Sequence, residues 1–318
     1  MDPSRRVMTA LILVTAAACV RNDMVGSRSE ARNAVGTAAP NLGELADATY
    51  RGILEQPVTL TSGRWEGEPF VAHGASRPTV GLVDDFILTG DLDGDGTDEA
   101  AAVLWESSGG SGNRLYLAVM RRHLGAIDNP GTAAIGDRVQ IISGDIERNR
   151  ITLEVIRAGA DDPACCPTER ARVSWALGED GLTRIGDDVT GRLSLADLEG
   201  PEWQLVEIGG QPVPYVASIT LAFDDERVSG QSACNAYFAG VTTTGPGELA
   251  FSGMGATRRA CPDPQMELER RYLTTLAGAT RYSFLVGRLA LSCTTDDGLT
   301  VLLFKPQQAQ SGRGDRER

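Results

Sequence analysis

The chain has 318 residues, of which 42% are hydrophobic and 23% charged, a composition that excludes collagen-like and wholly disordered proteins. Its formal net charge is −13, and a surface of that sign repels phosphate backbones, so we expect no nucleic-acid partner. The two histidines leave little material for histidine-based catalysis or zinc binding.

Residues 1–18 are predicted to be an export signal. Arginines near the start precede an apolar run that is too short to span a bilayer, and small residues then lead to Cys19. This arrangement resembles the lipobox of bacterial lipoproteins, in which the cysteine becomes the first mature residue and carries acyl chains. Ala16 stands where leucine is usual, and plain cleavage after Ala18 is the alternative.

Acylation of Cys19 would anchor the protein to a membrane through lipid, without a basic patch. The resemblance implies a location on the cell membrane or the outer membrane, facing the periplasm or the exterior. Residue Val20, which is not aspartate, favours the outer membrane if the source has one. Residues 19–45 are polar and small, and they are predicted to form a tether.

Residues 46–190 are predicted to form an N-terminal antiparallel β domain, with one short helix near residues 42–54. Apolar segments bounded by turn residues indicate its strands. The clearest of these segments are residues 86–89, 100–105, 115–120, 139–142, 151–156 and 172–177.

An acidic loop, GDLDGDGTDE at residues 90–99, lies between two of these strands. Its carboxylates repel one another unless a hard cation lies among them, and calcium prefers oxygen ligands. The spacing predicts a structural calcium site with the ligands Asp91, Asp93, Asp95, Thr97 and Glu99. Because Ala102 replaces the last glutamate of an EF-hand, the acidic loop resembles the aspartate-rich loops of integrin-like repeats. The alternative is an exposed Asp-Gly turn that holds no ion.

Residues 198–306 are predicted to form a second β domain with one helix. Strands are expected near residues 203–208, 219–223, 228–237 and 249–251, a helix at Pro264–Ala277, and a terminal hairpin with arms at 282–293 and 299–304. The helix has Pro264 and glutamates near its start, which suits a helix N-terminus. Its apolar face is expected to consist of Met266, Leu268, Tyr272, Leu273 and Leu276.

Short motifs recur in a fixed order in this second domain: WxL at residue 203, VSG at 228, CNxY at 234, TR at 257 and AC at 260. Together with the helix and the terminal hairpin, they resemble the META domain of the HslJ-like family. The resemblance implies a β-sheet or barrel with one packed helix, in envelope proteins associated with stress and antibiotic tolerance. The fold class expected for the whole chain is mainly β with α+β character.

The motif residues are expected to be structural. Asn235 suits a left-handed turn and Gly230 a β-bulge. Cys234 and Cys261 can form a disulfide, since export places them in an oxidising compartment. Cys293 is then left over as a buried thiol, and the adjacent Cys165 and Cys166 either bond to each other or to other partners.

The leading hypothesis for function is a non-enzymatic envelope lipoprotein that binds an envelope protein partner or acts in stress tolerance. The sequence contains no nucleophile elbow, Walker loop or HExxH helix. The alternatives are an envelope-acting hydrolase or enzyme inhibitor, and a calcium-dependent adhesion module. Residues 307–318 are predicted to be a disordered tail.

Overall fold

The computed structural model describes residues 38–71, 74, 76–109, 113–163, 166–214 and 218–307. These residues fall within one compact unit. The predicted export signal, Cys19, the tether up to residue 37, Cys165 and the tail beyond residue 307 lie outside the described residues.

The described residues before 193, called the N-terminal region, form one short helix and eleven strands. They are α1 (Leu42–Ala46), β1 (Thr49–Tyr50), β2 (Val58–Thr59), β3 (Arg64–Glu66), β4 (Thr79–Gly90), β5 (Glu99–Ser107), β6 (Arg114–His123), β7 (Ala126–Asp137), β8 (Gln140–Glu147), β9 (Arg150–Arg157), β10 (Glu169–Gly178) and β11 (Gly181–Arg192).

The longer strands of the N-terminal region form two antiparallel sheets. One has the order β3-β4-β5-β6-β7 and the other the order β11-β10-β9-β8. Residues of both sheets share one apolar core, which includes Val103, Leu117, Leu153, Val173 and Trp175. The predicted antiparallel β-rich fold of this region is therefore confirmed.

Strands β5 and β6 are buried on both faces, which explains their long apolar runs. Successive side chains of a strand point to opposite faces. Ala101 and Val103 accordingly belong to the core between the sheets, whereas Ala100 and Ala102 belong to a second core. The segment before β3 builds that second core against the sheet, with Tyr50 fully buried in it.

Helix α1 is shorter than the helix predicted near residues 42–54. It begins with a capping box between Asn41 and Glu44, and it ends at Ala46, before the chain enters β1. Glu44 also accepts two hydrogen bonds of 2.8 Å from the Arg122 guanidinium. These bonds lower the pKa of the Glu44 carboxyl to about 2, and they fasten the helix to β6.

The described residues from 193 onward, called the C-terminal region, contain a 3-10 helix, one α-helix and nine strands. They are the 3-10 helix (Leu195–Leu198), β12 (Trp203–Ile208), β13 (Gln211–Pro212), β14 (Thr220–Asp224), β15 (Arg227–Gln231), β16 (Ala236–Thr242), β17 (Ala250–Ala256), α2 (Asp263–Ala277), β18 (Ala279–Leu285), β19 (Arg288–Thr295) and β20 (Gly298–Pro306).

One curled antiparallel sheet dominates the C-terminal region. Its order is β17-β16-β15-β14-β12-β20-β19-β18, and β13 pairs with β12. The two ends of the sheet meet beside β17 and β18, where the Leu249 N–H donates to the Thr280 carbonyl at 3.1 Å and the Tyr282 N–H donates to the Gly247 carbonyl at 2.9 Å. The sheet is thus curled into a barrel-like form.

Helix α2 packs against this sheet, which confirms the predicted β-sheet with one packed helix. It begins one residue before the predicted start and ends at the predicted Ala277. Tyr272 and Leu276 are fully buried in the core of the C-terminal region, whereas Met266, expected on the apolar face, is 38% exposed. Among the described residues, no helix combines the length and the apolar character needed to cross a membrane.

The predicted single strand at 282–293 is wrong, because a tight turn divides it into β18 and β19. Val286 and Gly287 form this turn with φ of 45° and 77°. Glycine is favoured at residue 287 because its φ is left-handed, and an added Cβ would also lie only 3.2 Å from the Phe86 ring. We call residues 285–288 the junction turn, because it connects the two regions.

The junction turn is inserted against the N-terminal region. Val286 is 7% exposed and belongs to the core between the two N-terminal sheets. Three polar contacts accompany it: the Gly287 N–H to the Ile141 carbonyl at 2.7 Å, the Phe284 N–H to Gln140 Oε1 at 2.8 Å, and an ion pair between Arg288 and Asp85. The two regions are therefore in close contact through this turn.

Candidate functional site

The acidic loop lies between β4 and β5, as the sequence predicts. Asp91, Asp93 and Glu99 each place a carboxylate oxygen so that these ligand atoms lie within 4.8 Å of one another. Glu99 is buried at the start of β5, Asp91 is half-buried and Asp93 is exposed. Three of the five predicted ligands are thus brought together around one point.

Backbone hydrogen bonds hold the acidic loop in a tight turn. Both oxygens of Asp91 accept from the chain, from the Gly94 N–H at 2.6 Å and from the Gly96 N–H at 3.1 Å. The two glycines have φ of 81° and 85°, a conformation that favours glycine. Asp95 instead accepts from the Thr97 N–H at 2.7 Å and from its hydroxyl at 2.5 Å. A role of Asp95 and Thr97 as ligands stays a prediction.

The charges of the acidic loop are only partly compensated. Burial raises the pKa of Glu99, the neighbouring aspartates raise it further, and a hydrogen bond from the Leu92 N–H opposes this rise. Arg121 lies 3.6 Å from Asp93 and 3.5 Å from Asp128, so one cation is already shared between two carboxylates. The donor set consists of oxygens, which suits a hard divalent cation such as calcium.

A second cluster of polar residues lies inside the C-terminal region, around Glu269 of α2. Its carboxylate accepts from the Ser232 hydroxyl at 2.6 Å, from the Asn235 N–H at 2.8 Å and from Asn235 Nδ2 at 2.9 Å. Burial raises the pKa of Glu269, but the hydrogen bonds from Ser232 and Asn235 outweigh this effect, and the pKa lies below its ordinary value. Glu269 is therefore a buried carboxylate held in its charged form.

The Asn235 side chain connects this carboxylate to a third segment of the chain. Its Oδ1 accepts from the Thr257 hydroxyl at 2.8 Å and from the Arg259 N–H at 2.7 Å. The Cys234–Cys261 disulfide, with Cα atoms 6.1 Å apart, closes the same region. We call Ser232, Asn235, Thr257, Arg259 and Glu269 the motif network.

The disulfide encloses a sequence separation of 27 residues. In the chain-entropy model, a loop of that size stabilises the fold by about 3.5 kcal/mol. Cys293 is a free and buried thiol, and burial raises its pKa to about 12. Cys166 is disulfide-bonded.

Two motif residues have roles other than those predicted. Asn235 was expected to adopt the left-handed conformation, but Ala233 adopts it instead, with φ of 82°. Gly230 lies in a regular strand pair with Tyr237, and an added Cβ would overlap the Thr220 carbonyl oxygen. The glycine is therefore needed for close approach of two backbones and not for a bulge.

Glu269 is one of the glutamates that the sequence pattern places near the helix N-terminus, and that pattern does not predict its role in the motif network. A signal for that role was present, because residues 269, 272 and 276 lie at helical spacing on one face. That face carries the buried Tyr272 and Leu276. A carboxylate on a buried helical face needs hydrogen-bond donors, and the CN motif provides them.

The order of strands, the disulfide and the motif network can be compared with known families. A family model described as the META domain matches residues 196–308. Residues 196–308 form a META domain. This confirms the resemblance identified for residues 198–306, and it places the motif network and the Cys234–Cys261 disulfide inside the META domain.

The chain is also similar to a protein from Burkholderia xenovorans known from an NMR structure. The two share 26% sequence identity with a TM-score of 0.30, over 35% of this chain and 85% of that chain. No curated protein matches the chain.

Proposed function

We propose that this protein is an exported, lipid-anchored and non-enzymatic envelope protein, whose META domain serves as a binding module for an envelope partner. The proposal rests on the bonds that the residues of the META motif form within the fold. Cys234 and Asn235 of the motif carry reactive or polar side chains, and both are bonded within the fold, as is Glu269 of the motif network. Groups used in this way stabilise a scaffold, and the scaffold then presents its surface to a partner.

The predicted export signal and the disulfide support an extracytoplasmic location. Disulfides form and persist in oxidising compartments such as the bacterial periplasm. The small-residue run before Cys19 supports acylation of that residue. An acyl anchor and an acidic surface are compatible, since lipid chains need no basic patch to hold a protein at a membrane.

A Cys19→Ala variant is expected to lose its lipid and its membrane association. Without acyl chains, the hydrophobic contribution of about 0.8 kcal/mol per buried methylene group disappears. Metabolic labelling with a fatty-acid probe, followed by separation of membrane and soluble fractions, measures both effects. The matched control is Val20→Ala, which alters the neighbouring residue and should leave both label and fractionation unchanged.

Membrane association of Cys19→Ala at the wild-type level would contradict the lipid anchor. The binding role is tested separately by in-cell cross-linking of the wild-type chain. Recovery of one envelope protein in stoichiometric amount supports the role, whereas turnover of an envelope substrate by the purified chain contradicts it.

The acidic loop supports a second proposal, that it holds a structural calcium ion. The specific observation is the convergence of Asp91, Asp93 and Glu99 on one point, with their ligand atoms within 4.8 Å. Calcium would bridge the two ends of the loop and so join β4 to β5. Arg121 competes for Asp93 at present, and bound calcium would have to share that carboxylate.

We expect calcium to bind with a Kd of about 0.1–1 mM and to raise the melting temperature. Asp93→Asn should weaken binding about tenfold, since it removes a charged ligand. Arg121→Gln should strengthen binding, because it removes the competing cation. Calorimetry and thermal unfolding in millimolar calcium measure both effects.

Asp98→Asn is the matched control, because it removes one exposed charge from the same loop outside the converging group. It should change calcium affinity less than Asp93→Asn does. If both variants lose the same calcium affinity, calcium is attracted only by the total negative charge of the loop, and this result would contradict a defined site. Absence of binding heat and of a melting shift would reject calcium altogether.

A further inference from the structure

A cavity of about 380 Å³ lies where the junction turn meets the N-terminal region. Leu82, Trp105 and Leu115 line it from the N-terminal sheets, and Leu285 and Val286 line it from the META domain. Small-molecule sites have volumes of roughly 300–1,000 Å³ and favour the junctions between domains. The cavity therefore has the size and the position of a site for a small ligand.

The aromatic wall of the cavity is held in place before any ligand binds. Trp105 lies directly over Gly81 on the neighbouring strand, where any added Cβ would collide with the indole. The Arg64 guanidinium lies 5.6 Å from the centre of the indole ring. A ring fixed in this way loses little conformational entropy when a ligand packs against it.

Acidic side chains outnumber basic ones in the lining of the cavity. Asp84, Asp85 and Arg288 all line it. Arg288 is paired with Asp85, whereas Asp84 forms no ion pair with any residue that the structure describes. One exposed carboxylate thus lies without a basic partner beside apolar walls, in a molecule whose formal net charge is −13. A cation is the ligand charge that this arrangement favours.

We propose that the cavity binds a small organic cation with an apolar body, which places its charged group at Asp84 and its body against Trp105 and Leu285. The inference goes beyond the binding role proposed above, because it concerns a small-molecule ligand and not an envelope protein partner. Because Val286 and Leu285 belong to the META domain and Trp105 to the N-terminal region, the ligand contacts both regions at once. A volume of about 380 Å³ suits a small molecule and not a folded protein segment.

The test uses the purified full chain in a non-ionic detergent, with detergent blanks, and three probes of similar size. They are 2-phenylethylamine, 2-phenylethanol and 3-phenylpropanoate, which present a cation, a neutral group and an anion on the same aromatic body. Tryptophan fluorescence and calorimetry follow each titration. We expect the amine to bind about fivefold more tightly than the alcohol, and the carboxylate to bind most weakly.

Substitutions in the cavity, with one control outside it, test where the amine binds. Asp84→Asn should remove the preference for the amine over the alcohol, and the matched control Asp297→Asn, in the exposed turn before β20, should leave it intact. Trp105→Ala should weaken amine binding about tenfold or more. Leu285→Ala, at a side chain that is 56% exposed, provides a second variant without a risk to folding and should also weaken it.

Equal binding of all three probes, tighter binding of the carboxylate, or no binding of any probe would overturn the inference. Amine binding that survives Trp105→Ala and Leu285→Ala would place the site elsewhere and would equally overturn it. These results are independent of the Cys19 and cross-linking experiments, so a failure here is distinguishable from a failure of the proposed envelope role.

Discussion

An Asn235→Ala variant is expected to lose about 3–4 kcal/mol of unfolding free energy, because one side chain joins three segments of the META domain. The substitution removes the donor to Glu269 and the acceptor for Thr257 and Arg259. Each buried polar group left unpaired costs about 1–3 kcal/mol, and more when it is charged. Urea unfolding under non-reducing conditions measures the loss while the disulfide stays intact.

Asn235→Asp separates the hydrogen-bond network from simple packing. The volume is nearly conserved, but an oxygen replaces the Nδ2 that lies 2.9 Å from the Glu269 carboxylate. Two carboxylates at that distance repel, so this variant should be about as unstable as Asn235→Ala. Adding Glu269→Gln returns a donor to the pair and should recover part of the loss. If the losses of unfolding free energy caused by Asn235→Asp and Glu269→Gln simply add in the double variant, the network does not act as a unit.

The same network makes the stability of the META domain depend on pH. The pKa of Glu269 is lowered in the folded state, while in the unfolded chain it is about 4.3. Its contribution is therefore complete above the unfolded pKa and is lost as the pH falls through the lower folded pKa. Glu269→Gln should remove this part of the acid dependence. Identical acid dependence in wild type and variant would refute the assignment.

A matched control for the polar network is Asn113→Ala. Asn113 is exposed, and its side chain forms no hydrogen bond in the part of the chain that the structure describes. The unfolding free energy should change by no more than about 0.5 kcal/mol. A loss as large as that of Asn235→Ala would mean that removal of any asparagine amide has this effect, whatever its bonding.

Much of the fold follows from local sequence patterns. Helix α2 was predictable because Pro264 suits the first turn of a helix and the apolar residues recur at helical spacing. The acidic loop was predictable because alternating Asp and Gly residues enforce a turn between two apolar strands. In both segments, local propensity and tertiary structure favour the same conformation.

Other features depend on contacts that are distant in sequence. The turn at Val286–Gly287 could not be predicted, since a β-branched residue disfavours a positive φ and valine is normally typical of strands. Burial of β5 on both faces depends on the segment before β3, which carries no signal of where it packs. Among the five predicted calcium ligands, Asp95 and Thr97 differ from the others because they bond to each other.

The positive φ of Val286 has a consequence for how the two regions hold together. A backbone conformation of this kind costs about 1–3 kcal/mol and persists only where surrounding contacts enforce it. Here the enforcing contacts come from the N-terminal region: the Ile141 carbonyl accepts from Gly287, and the core between the two sheets encloses the Val286 side chain. The strain in the META domain is thus compensated by contacts with the other region.

Val286→Asp should therefore destabilise the protein by about 3–4 kcal/mol, since it places a carboxylate without a partner in an apolar core. Because that core belongs to the N-terminal region and Val286 to the META domain, unfolding should change from one transition to two. Urea unfolding followed by tryptophan fluorescence, with Trp175 and Trp203 in different cores, resolves the two regions.

Leu285→Asp is the matched control: it adds the same charge one residue earlier, at an exposed side chain, and should shift the unfolding free energy by no more than about 0.5 kcal/mol. A single transition of unchanged midpoint in Val286→Asp would show that the junction turn does not couple the two regions.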